Sequence, residues 1–430
     1  MVAAWMFIVF LVALLIGVPI YAAIGGAALL AVCIDPATAV QMVPLATVNG
    51  IDNFVLIAVA LFFISGALMQ ASGMTEEILS VADAFVGHIY GGIGATTIVA
   101  SAFFAALTGS GLAATVAIGS ITIGGMVSRG YKKPLAGAVA ASGGALGVLI
   151  PPSNPMIIYG VLSGTSIGML FAAGLIPGLL ITASLSLVMM FIGKKNNLKD
   201  PEKKFSWRHA LIAAWRAKWA LLAPFVILGS IYLGIATPTE AAEIAVVYAL
   251  FYGCIIKRKI KFKTIVRAFM DGAMTSAIML IMSGVASGFG RIITLYQVPQ
   301  TVGIFITSIT DNPQLIMLMI LVMLFFTGCF METLSQVIIL TPIFLPILLQ
   351  LGVDPIVFGV IFVLMIEIGF LTPPIGGNLF VAVKLCDNAS LMDISKAEIP
   401  FILVFLSWAV IFVFFPEIIT FLPNLLKGIQ

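Results

Sequence analysis

Unbroken apolar runs of about 15–25 residues follow one another along almost the whole chain. A helix needs roughly 20 apolar residues to cross the hydrocarbon of a bilayer, and these runs match that length. They lack the period-2 alternation of a transmembrane β-strand, so a barrel is excluded. Only 9% of the 430 residues are charged, against about 25% in an ordinary soluble chain. That is too little charge to coat a globule. A cytosolic enzyme, a disordered protein and a nucleic-acid binder are therefore excluded. The expected fold class is all-α: a polytopic membrane protein with lipid as its main partner and room for about ten to a dozen spans.

The few charges are informative by position. No Lys or Arg precedes Arg129, and 17 of the 21 basic residues fall in the stretches 129–133, 194–218 and 257–267. These read as cytoplasmic loops under the positive-inside rule. Cys33, Cys254, Cys329 and Cys386 are scattered, with no CxxC, and His88 and His209 are the sole histidines. A His/Cys metal centre is not expected. The N-terminus has no basic n-region and reads as a retained span.

Apolar segments lie near 3–16, 19–34 and 54–72, then a segment at 71–88 carries Glu76, Glu77 and Asp83 and reads as an amphipathic surface helix. Two arms at 91–107 and 112–127 flank Thr108-Gly109-Ser110-Gly111; 135–168 is interrupted by Pro151-Pro152-Ser153-Asn154-Pro155; a span at 170–193 follows. After a basic linker, spans fall near 219–235, 239–256 and 268–290. Arms at 313–326 and 334–350 then flank a tip at 327–333, 354–386 is interrupted at Thr372-Pro373-Pro374-Ile375-Gly376-Gly377-Asn378, and 398–424 ends the series. The halves match in order, with offsets of 217, 219 and 222 residues between corresponding landmarks. A near-constant offset marks an internal repeat.

If each half has three spans, a hairpin returning to its own side and one broken span, all three basic stretches fall on one face. The repeats are then inverted, with re-entrant hairpins opening to opposite sides and both termini outside. Inverted repeats with a broken helix in each half point to a secondary transporter with its site near the midplane.

The residue types at the interruptions suit that role. Backbone groups in lipid need partners, and a proline removes one donor and frees the carbonyl four residues back. Freed carbonyls at membrane depth are tolerated where they line a cavity or hold a cation. Helix starts near Leu112, Met156, Leu334 and Asn378 offer N–H groups to an anion. Arg291, Glu240, Glu243, Glu332 and Glu367 lie in or near apolar segments, where charges mark function by default. Arg291 has two readings: snorkelling to the interface, or contact with a substrate carboxylate. No HExxH, P-loop or nucleophile elbow is present, so the chain is not expected to be an enzyme.

Several stretches, among them VGHIYGGIGATTIVASAFFAALTGSGLAATVAIGS, RGYKKPLAGAVAASGGALGVLIPPSNPMIIYG, GIATPTEAAEIAV and FLTPPIGGNLFVA, resemble the large membrane subunit of tripartite ATP-independent periplasmic (TRAP) transporters, the DctM-like family. The resemblance runs in family order over most of the chain. It implies an elevator-type transporter of the bacterial inner membrane that imports an organic acid, such as a C4-dicarboxylate or sialic acid, with Na⁺. It also implies two partners: a small four-helix membrane subunit and a periplasmic substrate-binding protein. Carried over by position, one Na⁺ site uses Gly109, Ser110, Gly147, Val148, Ile150 and Pro152. The second uses Gly328, Met331, Thr372, Pro373 and Gly376. Substrate lies near Ser110, Asn154 and Asn378. Ala114 stands where many members carry an acid.

The expected organisation is scaffold helices and an interfacial segment over 1–88, then a hairpin, broken helix and span over 89–193. The basic linker covers 194–218, and second-half scaffold helices cover 219–310. The second hairpin and broken helix cover 311–397, and a last span covers 398–430. The rival readings are a substrate-gated channel, or an ion-coupled carrier working without a binding protein. A channel would give flux down the substrate gradient far above carrier turnover.

Overall fold

The computed structural model describes every residue except 1, 36–37, 199–203, 311, 330, 374–375, 388 and 428–430, and among the described residues all regular structure is helical. The first half runs α1 Val2–Leu15, α2 Ile20–Ile34, α3 Met42–Ile51, α4 Leu56–Ser72, α5 Met74–Val86, α6 Gly92–Thr108, α7 Gly111–Ser128, α8 Lys133–Ala145, α9 Asn154–Ser163 and α10 Ile167–Lys195. The second runs α11 Trp207–Arg216, α12 Lys218–Tyr232, α13 Pro238–Leu250, α14 Phe262–Leu295, α15 Val298–Thr307, α16 Pro313–Gly328, α17 Thr333–Gln350, α18 Pro355–Phe370, α19 Gly377–Leu385, α20 Leu391–Phe414 and α21 Glu417–Lys427. A single π-helical turn, Phe251–Ile256, extends α13.

Six of these helices are long and apolar enough to cross a membrane, and up to eight if the bent pairs α3–α4 (48°) and α11–α12 (65°) each count as one span. The figure falls below the sequence expectation because α6, α16 and α18 are apolar but short. They are hairpin arms and a broken-helix limb, which stop inside the protein. Their ends are fixed by local chemistry. Ser110, Ser153, Asn312, Glu332 and Asp354 cap helix starts through side-chain oxygens. Thr237 and Glu240 form a reciprocal capping box at the start of α13. Gly109 ends α6 in the left-handed region at φ 63°.

Four elements differ from the sequence reading. The helix α3 stands ahead of α4, over residues that no expected segment covers. The linker contains α11, whose Ala210, Ala213 and Ala217 pack on Val81 and Ala84 of α5 while Trp207, Leu211 and Trp215 stay exposed. An extra short helix, α15, follows α14. The last apolar segment divides into α20 and α21 at Phe415-Pro416. A proline disfavours helical backbone in the residue before it. The amphipathic segment expected at 71–88 forms α5, where Tyr252 donates to the Glu77 carboxylate at 2.6 Å and Lys257 pairs with it.

The 34-residue α14 packs along α2, α3 and α4 through small residues. A Cβ on Gly284 would come 2.5 Å from Cγ1 of Ile51 and 2.7 Å from the Thr47 carbonyl oxygen. Small residues at such contacts let helix axes approach closely. Gly284→Val is therefore expected to destabilise the purified chain by about 1–3 kcal/mol. It would lower the midpoint of thermal unfolding in detergent by several degrees. Gly229→Ala, where a Cβ meets nothing within 4 Å, should leave the midpoint unchanged or raised.

Candidate functional site

The first hairpin tip rests on the first helix break. Asn154 donates its backbone N–H to the Gly109 carbonyl at 3.2 Å, and its side-chain amide reaches the Thr108 carbonyl at 3.5 Å. A Cβ on Gly109 would come 2.6 Å from the Pro152 carbonyl oxygen; one on Gly147 would come 2.7 Å from the Ser110 carbonyl oxygen. The Ser153 hydroxyl turns back and donates to the Val148 carbonyl. Ile150 packs its side chain against Gly178 of α10. Gly109, Ser110, Gly147, Val148 and Pro152 are thus brought together around one tip, with the Pro151–Pro152 peptide cis, while the Ile150 side chain turns to α10.

The second tip is built with different side chains. Glu332 caps α17, accepting from the N–H groups of Leu334 and Ser335 at 3.1 Å each and from the Ser335 hydroxyl at 3.2 Å. Gln336, fully buried, donates to the Met331 carbonyl at 3.1 Å and accepts from Thr327 at 3.0 Å. Gly328 lies against α18, where a Cβ would come 2.7 Å from Cα of Gly369. At the second break, Thr372 donates its hydroxyl to the Ile368 carbonyl at 2.9 Å, and a Cβ on Gly376 would come 3.1 Å from the Thr372 carbonyl oxygen. Pro373 lies in the turn between these two residues. Phe330 at the tip, and Pro374 and Ile375 at the break, lie outside the described residues.

Glu367 ties these parts together. Its carboxylate accepts from the Asn378 amide at 2.6 Å and from the Thr333 hydroxyl at 3.1 Å. A Cβ on Gly111, in the first tip, would come 2.6 Å from its Oε1. So one buried acid touches both tips and the second break. Sequence reasoning noted Glu367 as an intramembrane charge and gave it no role. The available signal was its place five residues ahead of Thr372-Pro373. Gln336 and Ser153 were likewise missed as partners of main-chain oxygen.

A cavity of about 540 Å³ opens between the tips and the helices across from them. Ser110, Asn154, Glu332, Thr333, Ser335 and Glu367 give it a polar side. Pro19, Phe63, Ile278, Met279 and Met282 make the facing side apolar, relieved by Tyr21 and Thr275. No Lys, Arg or His is among the described lining residues. Asn154 and Asn378 are both buried, and the Oδ1 of each is without a hydrogen-bond partner among the described residues. Arg291 sits exposed on α14 and is not among the cavity-lining residues. Buried polar atoms are almost always partnered, and these two unpartnered oxygens lie beside the two breaks.

A family model described as tripartite ATP-independent periplasmic transporter, DctM component, matches residues 7–418. The chain belongs to that family. It is therefore a multi-pass inner-membrane permease of an ion-coupled TRAP system, and not an enzyme. It is 41% identical over 94% of its length to the isethionate TRAP transporter permease protein DctMQ of Oleidesulfovibrio alaskensis, of which it spans 64%. It is 36% identical to the C4-dicarboxylate large permease DctM of Pseudomonas aeruginosa, over 87% of each chain. With the sialic acid large permease SiaM of Vibrio cholerae it shares 37% identity over 88% of each chain. In fold it is similar to the YdaH transporter of Alcanivorax borkumensis, with a TM-score of 0.65 at 15% identity over 86% of this chain and 87% of that one.

Gly109 gives the sharpest test of the TRAP site. Its φ of 63° and the nearby Pro152 carbonyl both exclude a side chain. A non-glycine residue in the left-handed region costs roughly 1–2 kcal/mol before any clash. Gly109→Ala is expected to cut substrate uptake by the assembled system at least tenfold (about 1.4 kcal/mol), while size-exclusion elution of the permease stays normal.

Proposed function

We propose that this chain is the large subunit of a Na⁺-coupled importer of a small organic anion. A periplasmic binding protein delivers the anion, and a small four-helix membrane subunit completes the permease. The observation that carries the reading is the pairing of a glycine tip with a proline break in each half, with an orphaned asparagine oxygen beside each break. In the first cage, Na⁺ takes oxygen from Gly109, Ser110, Gly147, Val148, Ile150 and Pro152. The second cage uses Gly328, Met331, Thr372, Pro373 and Gly376. A hard cation is well served by such carbonyl and hydroxyl oxygens. Substrate lies between the cages, near Ser110, Asn154 and Asn378; Arg291, exposed on α14 and outside the cavity lining, takes no part in holding it there.

The hairpins and broken helices move together as the transport domain within 89–193 and 311–397, against scaffold helices within 1–88 and 219–310. Coupling then requires that cation and anion favour the same position of that domain. The organic acids named for the relatives, C4-dicarboxylate, sialic acid and isethionate, define the chemical range in which the substrate falls.

The test is uptake of labelled organic acids into proteoliposomes holding this chain with its small subunit and binding protein. Uptake is expected to need both the binding protein and an inward Na⁺ gradient, and to stop when K⁺ replaces Na⁺. Thr372→Ala should raise the Na⁺ concentration for half-maximal uptake several-fold. Flux that ignores the cation, or that follows the substrate gradient without the binding protein, would defeat the proposal.

A further inference from the structure

The polar side of the cavity is unusual for an anion site. It holds two carboxylates, Glu332 and Glu367, and no basic side chain among the described lining residues. Glu332 accepts three hydrogen bonds, all at Oε2 and all from the first turn of α17, which fixes that acid as the cap of the helix. Glu367 accepts one bond at each oxygen. A carboxylate has about four acceptor sites, so each Glu367 oxygen keeps room for another donor. The residue is 2% exposed and lines the cavity. Asn154 is 1% exposed, and its Oδ1 is also an acceptor without a donor. Its amide nitrogen is turned to the Thr108 carbonyl, which leaves the oxygen for a ligand. The buried cavity-lining groups with room for a partner, Glu367 and Asn154, are therefore acceptors, and they ask for a hydrogen-bond donor.

Charge narrows the class further. At membrane depth every added negative charge needs a counter-charge. Here the counter-charge is limited to helix starts and to whatever cations enter with the substrate. A dianion beside Glu332 and Glu367 would carry one more uncompensated charge than a monoanion. An ammonium group would also donate, but it would leave such an acid without net charge and so outside the class of organic anions. We propose that the site selects singly charged organic anions bearing a hydroxyl group, carboxylate or sulfonate alike, and that Glu367 receives the hydroxyl proton as a specificity-determining hydrogen bond. This rests on the transport reading above and names the substrate class for it.

An isosteric series tests it in the same reconstituted system. The probes are 2-hydroxyethanesulfonate, 2-aminoethanesulfonate and ethanesulfonate, which differ only in OH, NH₃⁺ or H at one carbon. Lactate and propionate form a second hydroxyl/hydrogen pair, and succinate and N-acetylneuraminate complete the panel. Each competes with the best-transported acid. The hydroxylated monoanions should compete best, ahead of their deoxy analogues, the amino analogue and succinate. Glu367→Gln keeps the shape and can still pair with Asn378 and Thr333. With the same binding protein throughout, it should shrink the hydroxyl-to-deoxy preference about tenfold or more, because a site built around a substrate hydroxyl loses that discrimination when its partner changes.

If Glu367 only positions the second tip, Glu367→Gln would slow hydroxylated and deoxy substrates equally, and the proposed contact fails. Preference for succinate or for the amino analogue in the unaltered protein, beyond that shown by the isolated binding protein, would overturn the class assignment while leaving organic-acid transport intact. Absence of Na⁺-driven uptake for every acid in the panel would instead overturn the transport reading, and the substrate class with it.

Discussion

Everything in this structure depends on finding partners for main-chain groups at two places where a helix is broken inside a membrane protein. An orphan peptide group there costs several kcal/mol. In the first half the partners come from close by and from the hairpin. The Ser153 hydroxyl takes the Val148 carbonyl, and Gly109 takes the N–H of Asn154. In the second, the Thr372 hydroxyl takes the Ile368 carbonyl, and Glu367 just before the break joins Asn378 after it to Thr333 of the tip. A break without its tip would be an open polar wound. Tip and broken helix are therefore one mechanical unit, held by hydrogen bonds that are lost if the two separate.

The two halves solve the same backbone problem with different side chains. Serine hydroxyls serve the first tip and break, while acids and an amide serve the second. At the repeat offset of 222 residues, Ala145 occupies the place that Glu367 holds. The repeat thus preserves the route of the main chain and the glycines that permit close approach. It leaves the charge to one half. Because Glu367 reaches Thr333, Asn378 and the neighbourhood of Gly111, that single asymmetric residue spans the site.

The breaks, the tips and their order were legible in the sequence because proline and glycine act locally. At Pro151-Pro152 and Thr372-Pro373 several helix-breaking residues fall within one turn, and the helix is interrupted there, whereas the lone Pro177 is carried inside α10. The approach of the first tip to the first break was expected from the family resemblance, and Gly109 does lie against Pro152 and Asn154. What stayed hidden depends on contacts between distant positions. Glu367 meets Thr333 across 34 residues, and Asn154 meets Thr108 across 46; no periodicity encodes such pairings. The helix α11 was hidden for another reason: its Arg208, His209 and Arg216 read as linker charge, while its packing face is made of alanines. Of the two readings open for Arg291, the structure has it exposed on α14, which runs five residues past the expected end of its span at 290.

The cavity's two sides differ in what they hold on to. The tips and breaks spend their polar groups on one another, within the unit that contains the proposed cages. The side across from them offers mainly apolar surface, with Phe63, Ile278, Met279 and Met282. Apolar contact is non-directional, and methionine adapts to a changed neighbour better than branched side chains do. Sliding such a wall past the tips breaks few directional bonds. Pulling a tip from its break would strand carbonyls and carboxylates together. The structure therefore has its weak seam along the methionine-lined wall and its strong joints at the tips, which is the division a carrier needs if bound ions are to travel with the groups that bind them.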